Sequence, residues 1–401
     1  MSNWHKWGLV ALVIVLVGST TFAAGFGVGC YVWPAYRHLP PAVAEDQPEE
    51  FAVFWEAWQL IEDRFYREEP LDQKAMTYGA VRGMVASLGD RHTVFLTPEE
   101  GDMFDEDLKG EFGGIGVTVV STDEGYLRAT RLIPGAPAEK AGVRPGDLIL
   151  EVDGNSLRGL AMPASIGLLR GTIGTEVRLL LRRPDDELVE LALTRALIEI
   201  PVVEARMLDD GIAYLALWEC SGRATRDLRA SLKQLLAEEP RALLLDLRGN
   251  PGGYLDTAVQ IASEFITDGV VLLERDRHGS ETKHKAQSGG IATDLPLAVL
   301  VDGATASAAE IIAGAIRDND RGLLIGEQTF GKGSVQISER LSDRSSLRVT
   351  IMRWYTPSGQ GINGEGLTPD IVIELSEEDL LAERDVQLEE AVTYLLGQLS
   401  P

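Results

Sequence analysis

Cysteine is almost missing: Cys30 and Cys220 are the only two among 401 residues. Two thiols build neither a disulfide framework nor a cysteine-rich zinc site. Histidine is scarce too, with five in the chain. His5 and His38 flank an apolar N-terminal run, His278 and His284 lie in a charged, glycine-containing connection, and His92 sits beside an ordered element. A Ser-His-Asp relay needs a histidine held against the nucleophile, and none adjoins a nucleophilic turn in the C-terminal half. His278 and His284 lack a companion acid at helical spacing, which argues against a metal site. Positive charge is the third shortage, 37 Lys and Arg against 62 Asp and Glu, for a net charge of −25. Such a surface repels nucleic acid and anionic headgroups, so no nucleic-acid partner is expected. Hydrophobic residues at 45% and charged residues at 25% are ordinary globular usage. At roughly 150 residues per domain, the length predicts two or three.

Charge is also absent from Gly8 to Gly29, 22 residues in a row. As a helix this run would measure about 33 Å, enough for a hydrocarbon core of roughly 30 Å. Residues 1–32 are expected to be a signal anchor or a cleaved signal peptide, and the sequence leaves the choice open. Lys6 precedes the run and no acid does, so the N-terminus is expected in the cytoplasm and the remainder outside. The chain is therefore expected to be held at a cell membrane by a single span, with the part beyond it periplasmic or extracellular. Residues 33–50, with Pro40-Pro41 and an acidic stretch, form a linker.

Beyond it the pattern changes three times. From 51 to 110, Phe51, Phe54, Trp55, Trp58 and Ile61 recur at helical spacing, as core or dimer contacts. From 111 to 196, short β-rich runs are punctuated by Gly and Pro, with one helical patch near Ala161 to Leu169. From 197 to 375, apolar strands alternate with amphipathic helices: 242–247 then 255–266, and 297–301 then 308–316. That alternation predicts α/β layers with both sheet faces covered. A terminal helix completes 376–401, and the whole is expected to be multidomain α+β.

Ser307 falls between an apolar strand and a helix. There a hydroxyl stands at the top of a sheet, and the helix's positive end and the Ala308 amide face a developing oxyanion. The bland reading is a helix cap. The turn Gly249-Asn250-Pro251-Gly252-Gly253 follows another strand and can bring a backbone N–H close to a substrate, or be only a tight turn. Gly326 to Ser334 superficially meets a phosphate-loop pattern, but Gly333 stands where Ser or Thr should hold magnesium. Lys332 has small and apolar neighbours, Phe330, Gly331, Gly333 and Val335. Burial disfavours ammonium and can make lysine a base, although a lone lysine at a turn is more commonly solvated.

Ser307 and Lys332 are 25 apart and Gln336 follows four later. With 329–336, Tyr355-Thr356-Pro357-Ser358-Gly359 and Ser87-Leu88-Gly89-Asp90-Arg91-His92-Thr93, the chain from about Phe51 to Leu375 resembles the carboxyl-terminal processing proteases, Ser-Lys dyad serine peptidases with a PDZ domain. The resemblance implies a crotonase/ClpP-like α/β protease domain at 197–375 that uses no cofactor and no metal. It implies Ser307 as nucleophile, Lys332 as general base and Gln336 as the residue orienting Lys332. Ala308 and Gly253 would supply oxyanion donors, with Gly252 as the neighbouring alternative. The family's Ser-Ala-Ser-Ala-Ser-Glu is here Thr305-Ala306-Ser307-Ala308-Ala309-Glu310, which changes the hydroxyls either side of Ser307. Leu132 to Gly154 resembles the PDZ domains of bacterial proteases, and Gly114, Ile115, Gly116 and Val117 then look like its carboxylate-binding loop. Protein or peptide substrates with free C-termini are the expected partners, extending the sheet edge as a strand. Arg170, just after the groove helix, is a candidate regulatory residue coupling the groove to the protease domain. A homodimer is expected through the aromatic N-terminal helices and the C-terminal helix. Two other functions compete: a membrane-tethered PDZ scaffold with an inactive hydrolase-like domain, and an acyl-transfer or hydratase enzyme on the same layers.

Overall fold

The computed structural model describes residues 50–399, apart from 123, 377, 378 and 380–383. The expected export segment and linker lie outside the described residues. Among the described residues no helix is long and apolar enough to cross a membrane. The chain divides into two compact units, one of residues 50–98 with 338–347 and one of the remainder.

The first unit contains α1 (Phe51–Arg64), α2 (Gln73–Ala86) and β1 (Val94–Leu96). Asp72 caps α2 by accepting the Ala75 amide at 2.9 Å. Within this unit Tyr78 stacks on Phe95 at 5.0 Å and donates to Asp343 at 2.7 Å. No residue of α1 is buried, so its aromatics do not form the core that their spacing allowed.

The second unit opens with α3 (Pro98–Lys109), β2 (Glu111–Gly114), β3 (Val117–Ser121), β4 (Leu127–Leu132), α4 (Pro137–Ala141), β5 (Leu148–Val152), β6 (Asn155–Ser156), α5 (Met162–Leu169), β7 (Glu176–Arg182), β8 (Leu188–Thr194) and β9 (Ala196–Glu199). An antiparallel sheet runs β3-β4-β5-β7-β8, and β2 pairs with β9. Strict alternation along β7 buries Val177, Leu179 and Leu181 against Ile149, Leu157 and Leu169, which gives this module its own core.

Then come β10 (Val203–Met207), β11 (Ile212–Leu217), α6 (Ala224–Leu236), β12 (Ala242–Asp246), α7 (Leu255–Ala262), β13 (Val270–Asp276), β14 (Glu281–Lys285), β15 (Leu297–Val301), α8 (Ala308–Asp318), β16 (Leu323–Gly326), β17 (Ser334–Arg340), β18 (Ser346–Tyr355), β19 (Ile371–Val372) and α9 (Val386–Leu399). The main sheet is ordered β10-β11-β12-β15-β16-β19, and from β11 onward its neighbours pair in parallel. Period two sends Ala213, Leu215 and Leu217 to the face covered by α6, α7 and α8, and Ile212, Tyr214 and Ala216 to the face where α9 places Ala391 and Leu395. Parallel strands buried on both sides explain the nearly unbroken apolar runs. The loops leaving the carboxyl ends of β12, β15 and β16 lie side by side, the place where open parallel sheets hold their ligands.

Candidate active site

Those three loops carry Gly253, Ser307 and Lys332. Ser307 precedes α8 with φ 54° and ψ −117°, a conformation that L residues avoid and that persists only when its surroundings impose it. Several bonds do so. Thr305 donates its hydroxyl to the Leu247 carbonyl at 2.9 Å and accepts the Asp302 amide at 2.9 Å. Asp302 receives the Gly249 and Thr305 amides at 3.0 and 2.8 Å. The altered hydroxyl at Thr305 is therefore fully employed, and the buried Ala309 needs no partner.

Asn250, with no exposed surface, ties the turn after β12 to its neighbours. Its amide group donates to Leu217 O at 2.8 Å and accepts Gly252 N–H at 2.9 Å, while its carbonyl accepts Ala306 N–H at 2.9 Å. Gly252 is pressed against the turn at Ser307, for a Cβ there would stand 2.8 Å from that of Ser307. Its N–H is already used by Asn250, whereas the Gly253 and Ala308 amides have no acceptor among the described residues. That difference selects Gly253 over Gly252 as the amide available to a ligand.

Glu310 joins the third loop. Its carboxylate has no exposed surface and accepts four donors: Thr329 Oγ1 at 2.5 Å and Gly331 N at 2.8 Å on one oxygen, Ser307 N at 2.8 Å and Lys332 N at 2.9 Å on the other. Ser307 and Lys332 thus share one acceptor atom, and their backbones are no farther apart than two hydrogen bonds in series. The sequence signal available for this was Ser-x-x-Glu, a capping box in which Glu at N3 returns to the N-cap amide. Lys332 is half-buried, and the Trp354 indole donates to its carbonyl at 2.9 Å. On β17, Gln336 donates Nε2 to Ser334 and Thr350 at 2.8 and 3.1 Å, and its Oε1 takes no donor among the described residues. The neighbouring thiol is inert: burial pushes Cys220 up to about 12.

In the β-rich module, Gly114, Ile115, Gly116 and Val117 line a groove of about 260 Å³ with Phe112 and Leu169. Gly116 adopts φ 76°, and the amides of Ile115 and Gly116 have no acceptor among the described residues. Consecutive open amides of this kind form an anion-binding concavity. Arg170 lies over the Phe112 ring at 4.0 Å, pairs with Asp107 at 2.7 Å and is largely buried. Helix α3, which carries Asp107, also accepts the Gly222 amide at Leu108 O, 3.0 Å. Two residues before Gly222, Cys220 brackets Gly253, donating to Gly252 O at 2.8 Å and accepting Tyr254 N–H at 2.9 Å. Burial, reinforced by the Asp107 charge, raises Glu219 beside it to about 7.

Residues 211–373 match Peptidase family S41 and residues 128–183 match the PDZ domain, so the class is a PDZ-containing peptidase. The chain is 35% identical over 332 residues to a carboxy-terminal-processing protease of Bartonella bacilliformis, covering 81% of this chain and 75% of that one. It is 34% identical over 322 residues to carboxy-terminal processing protease CtpA of Bacillus subtilis, covering 80% and 68%. Among solved structures, a photosystem II D1 C-terminal processing protease is similar at 30% identity and TM-score 0.50, over 82% of this chain and 94% of that one. An S41-type protease from Bacteroides fragilis, at 18% identity and TM-score 0.54 over 90% and 100%, shares the fold. The chain belongs to the carboxy-terminal processing proteases, serine-type peptidases of family S41.

Proposed function

We propose that Ser307 and Lys332 perform the peptide hydrolysis of this family. Lys332 Nζ takes the Ser307 proton as Oγ bonds to the scissile carbonyl carbon, and the Gly253 and Ala308 amides receive the resulting oxyanion. Collapse breaks the C–N bond, the leaving amine takes the proton from Lys332, and an acyl-enzyme remains. Water, deprotonated by Lys332, then releases a new carboxyl terminus and restores Ser307. Gln336 Oε1 orients the lysine. The observation that carries this reading is the pair of acceptor-free amides, Gly253 and Ala308, beside a serine held at positive φ. The inactive-scaffold alternative gives no reason for that arrangement.

The groove at Gly114–Val117 supports capture of a protein's free C-terminus as an added strand, with Arg170 and α3 relaying occupancy to the turn at Gly253. The uncharged run from Gly8 to Gly29 supports an N-terminal anchor or signal segment and an extracytoplasmic site of action. Exposed Phe51, Trp55, Leu60 and Ile61 on α1 support self-association. Mass spectrometry of peptides cut by the wild type, Ser307→Ala and Lys332→Ala tests the chemistry. Both variants are expected to cut nothing, and turnover by either removes the dyad.

A further inference from the structure

The residue leading into the Gly249–Gly253 turn is bound to the far end of the chain. Arg248 makes a forked pair with Asp246, Nε to Oδ1 at 3.0 Å and Nη2 to Oδ2 at 2.7 Å. It makes a second with Asp385, Nη1 to Oδ1 and Nη2 to Oδ2, both at 2.8 Å. Nη1 also donates to Gln387 Oε1 at 3.1 Å. Asp385 sits at the head of α9, where Oδ1 accepts the Leu388 amide at 3.0 Å. Gln387, fully buried, donates to Ile373 O at 2.8 Å and to Glu327 at 3.2 Å, the latter at the root of the loop carrying Lys332. Ala391 and Leu395 already seat α9 on the sheet by apolar packing. Asp385 is partly exposed, and neither buried nor surface ion pairs add much net stability over apolar packing, so the network's position calls for another account.

We propose that the Arg248–Asp385 pair makes the C-terminal segment a positioning element of the oxyanion turn, fixing where the Gly253 amide points; this rests on the dyad reading above. The turn has little stiffness of its own, because Gly249, Gly252 and Gly253 all take positive φ, at 71°, 101° and 150°. Asp302 and Asn250 hold it from the nucleophile side. Arg248 holds it from behind, and a planar guanidinium engaged by two carboxylates fixes direction as well as distance. An error of about 1 Å in a reacting group can cost about a hundredfold in rate.

The test uses the full chain with Asp385→Ala and Asp385→Asn, and Glu389→Ala as control. Glu389 pairs with Arg384 at 2.7 Å on the exposed side of the same helix end. Asp246 still neutralises Arg248 in both Asp385 variants, and assays run below the melting temperatures that circular dichroism gives. The expected result for Asp385→Ala is a kcat lower by about ten- to a hundredfold with KM little changed. Affinity for a peptidyl trifluoromethyl ketone, whose adduct with Ser307 carries an oxyanion, falls by a similar factor. Asp385→Asn falls between, Glu389→Ala matches the wild type, and the Asn variant carries the comparison should the Ala variant not fold. Wild-type kcat in the folded Asp385 variants, or a loss of kcat without loss of ketone affinity, overturns the proposal. If the wild type has no turnover that Ser307→Ala abolishes, the dyad reading fails instead.

Discussion

Replacing Glu310 by glutamine probes the joint between Ser307 and Lys332, the proposed nucleophile and base. The carboxylate takes two donors on each oxygen, and the isosteric amide keeps one accepting oxygen. With that oxygen turned to Ser307 and Lys332, the new NH2 can donate to the Thr329 hydroxyl but opposes the Gly331 amide. The Gly331 N–H is then stranded, and the Thr329 hydroxyl, which already accepts the Leu367 amide, loses the acceptor for its own proton, at about 1–2 kcal/mol each. A total of about 2–4 kcal/mol lies within the usual 5–15 kcal/mol stability of a domain, so the variant should fold. Glu310→Ala strands four donors, about 4–12 kcal/mol, and should not fold. In Glu310→Gln the tether shared by the Ser307 and Lys332 backbones is weakened to a neutral acceptor and the Gly331 hold on the Lys332 loop is lost, so kcat should fall by about ten- to a hundredfold while KM stays near wild type. Urea melts and steady-state cleavage of a fluorogenic peptide measure both. A Gln variant with wild-type kcat refutes the tether.

Gly253→Ala should fold but lose about 10²–10³ in kcat, since the new Cβ would lie 2.2 Å from the Cys220 carbonyl oxygen and must displace the turn; an unchanged rate assigns the oxyanion elsewhere. Gly116→Val, with φ 76° and a Cβ 2.3 Å from that of Ala136, should abolish binding of a peptide with a free apolar C-terminus in fluorescence anisotropy. Covalent labelling of Ser307 by a fluorophosphonate should persist in that variant, and retained anisotropy removes the groove. Glu219 predicts a pH effect. Its folded value, near 7, exceeds the ordinary 4.5, so the native state holds the extra proton between them and stability declines as pH rises through that window. Glu219→Gln should flatten this part of the melting temperature against pH, and parallel curves for the two proteins contradict it.

Much of this was legible in the chain. Apolar runs at 242–247 and 297–301 read as strands because parallel strands buried on both faces have no polar side to show, and the glycines and proline after Asp246 marked the turn between β12 and α7. Motif order singled out Ser307, Lys332 and Gln336, the Gly-rich stretch at 112–117 pointed to the groove, and the capping-box signal of Glu310 went unread. The aromatics of α1 misled in part, since helical spacing reports a shared face and not what covers it.

What the chain determined alone was local: which segments are strands or helices, where a serine meets a helix start, which loops contain enough glycine to admit a ligand. Period and steric freedom act over a few residues and survive without the fold. What needed tertiary structure was pairing across distance. That Gly252 gives its amide to Asn250 while Gly253 keeps its own free, that Ser307 and Lys332 meet on one oxygen of Glu310, and that Arg248 reaches Asp385 depend on strand order and on which loops the sheet sets side by side. Hydrogen bonds fall away within a fraction of an ångström, and no spacing along the sequence encodes a distance between residues 137 positions apart.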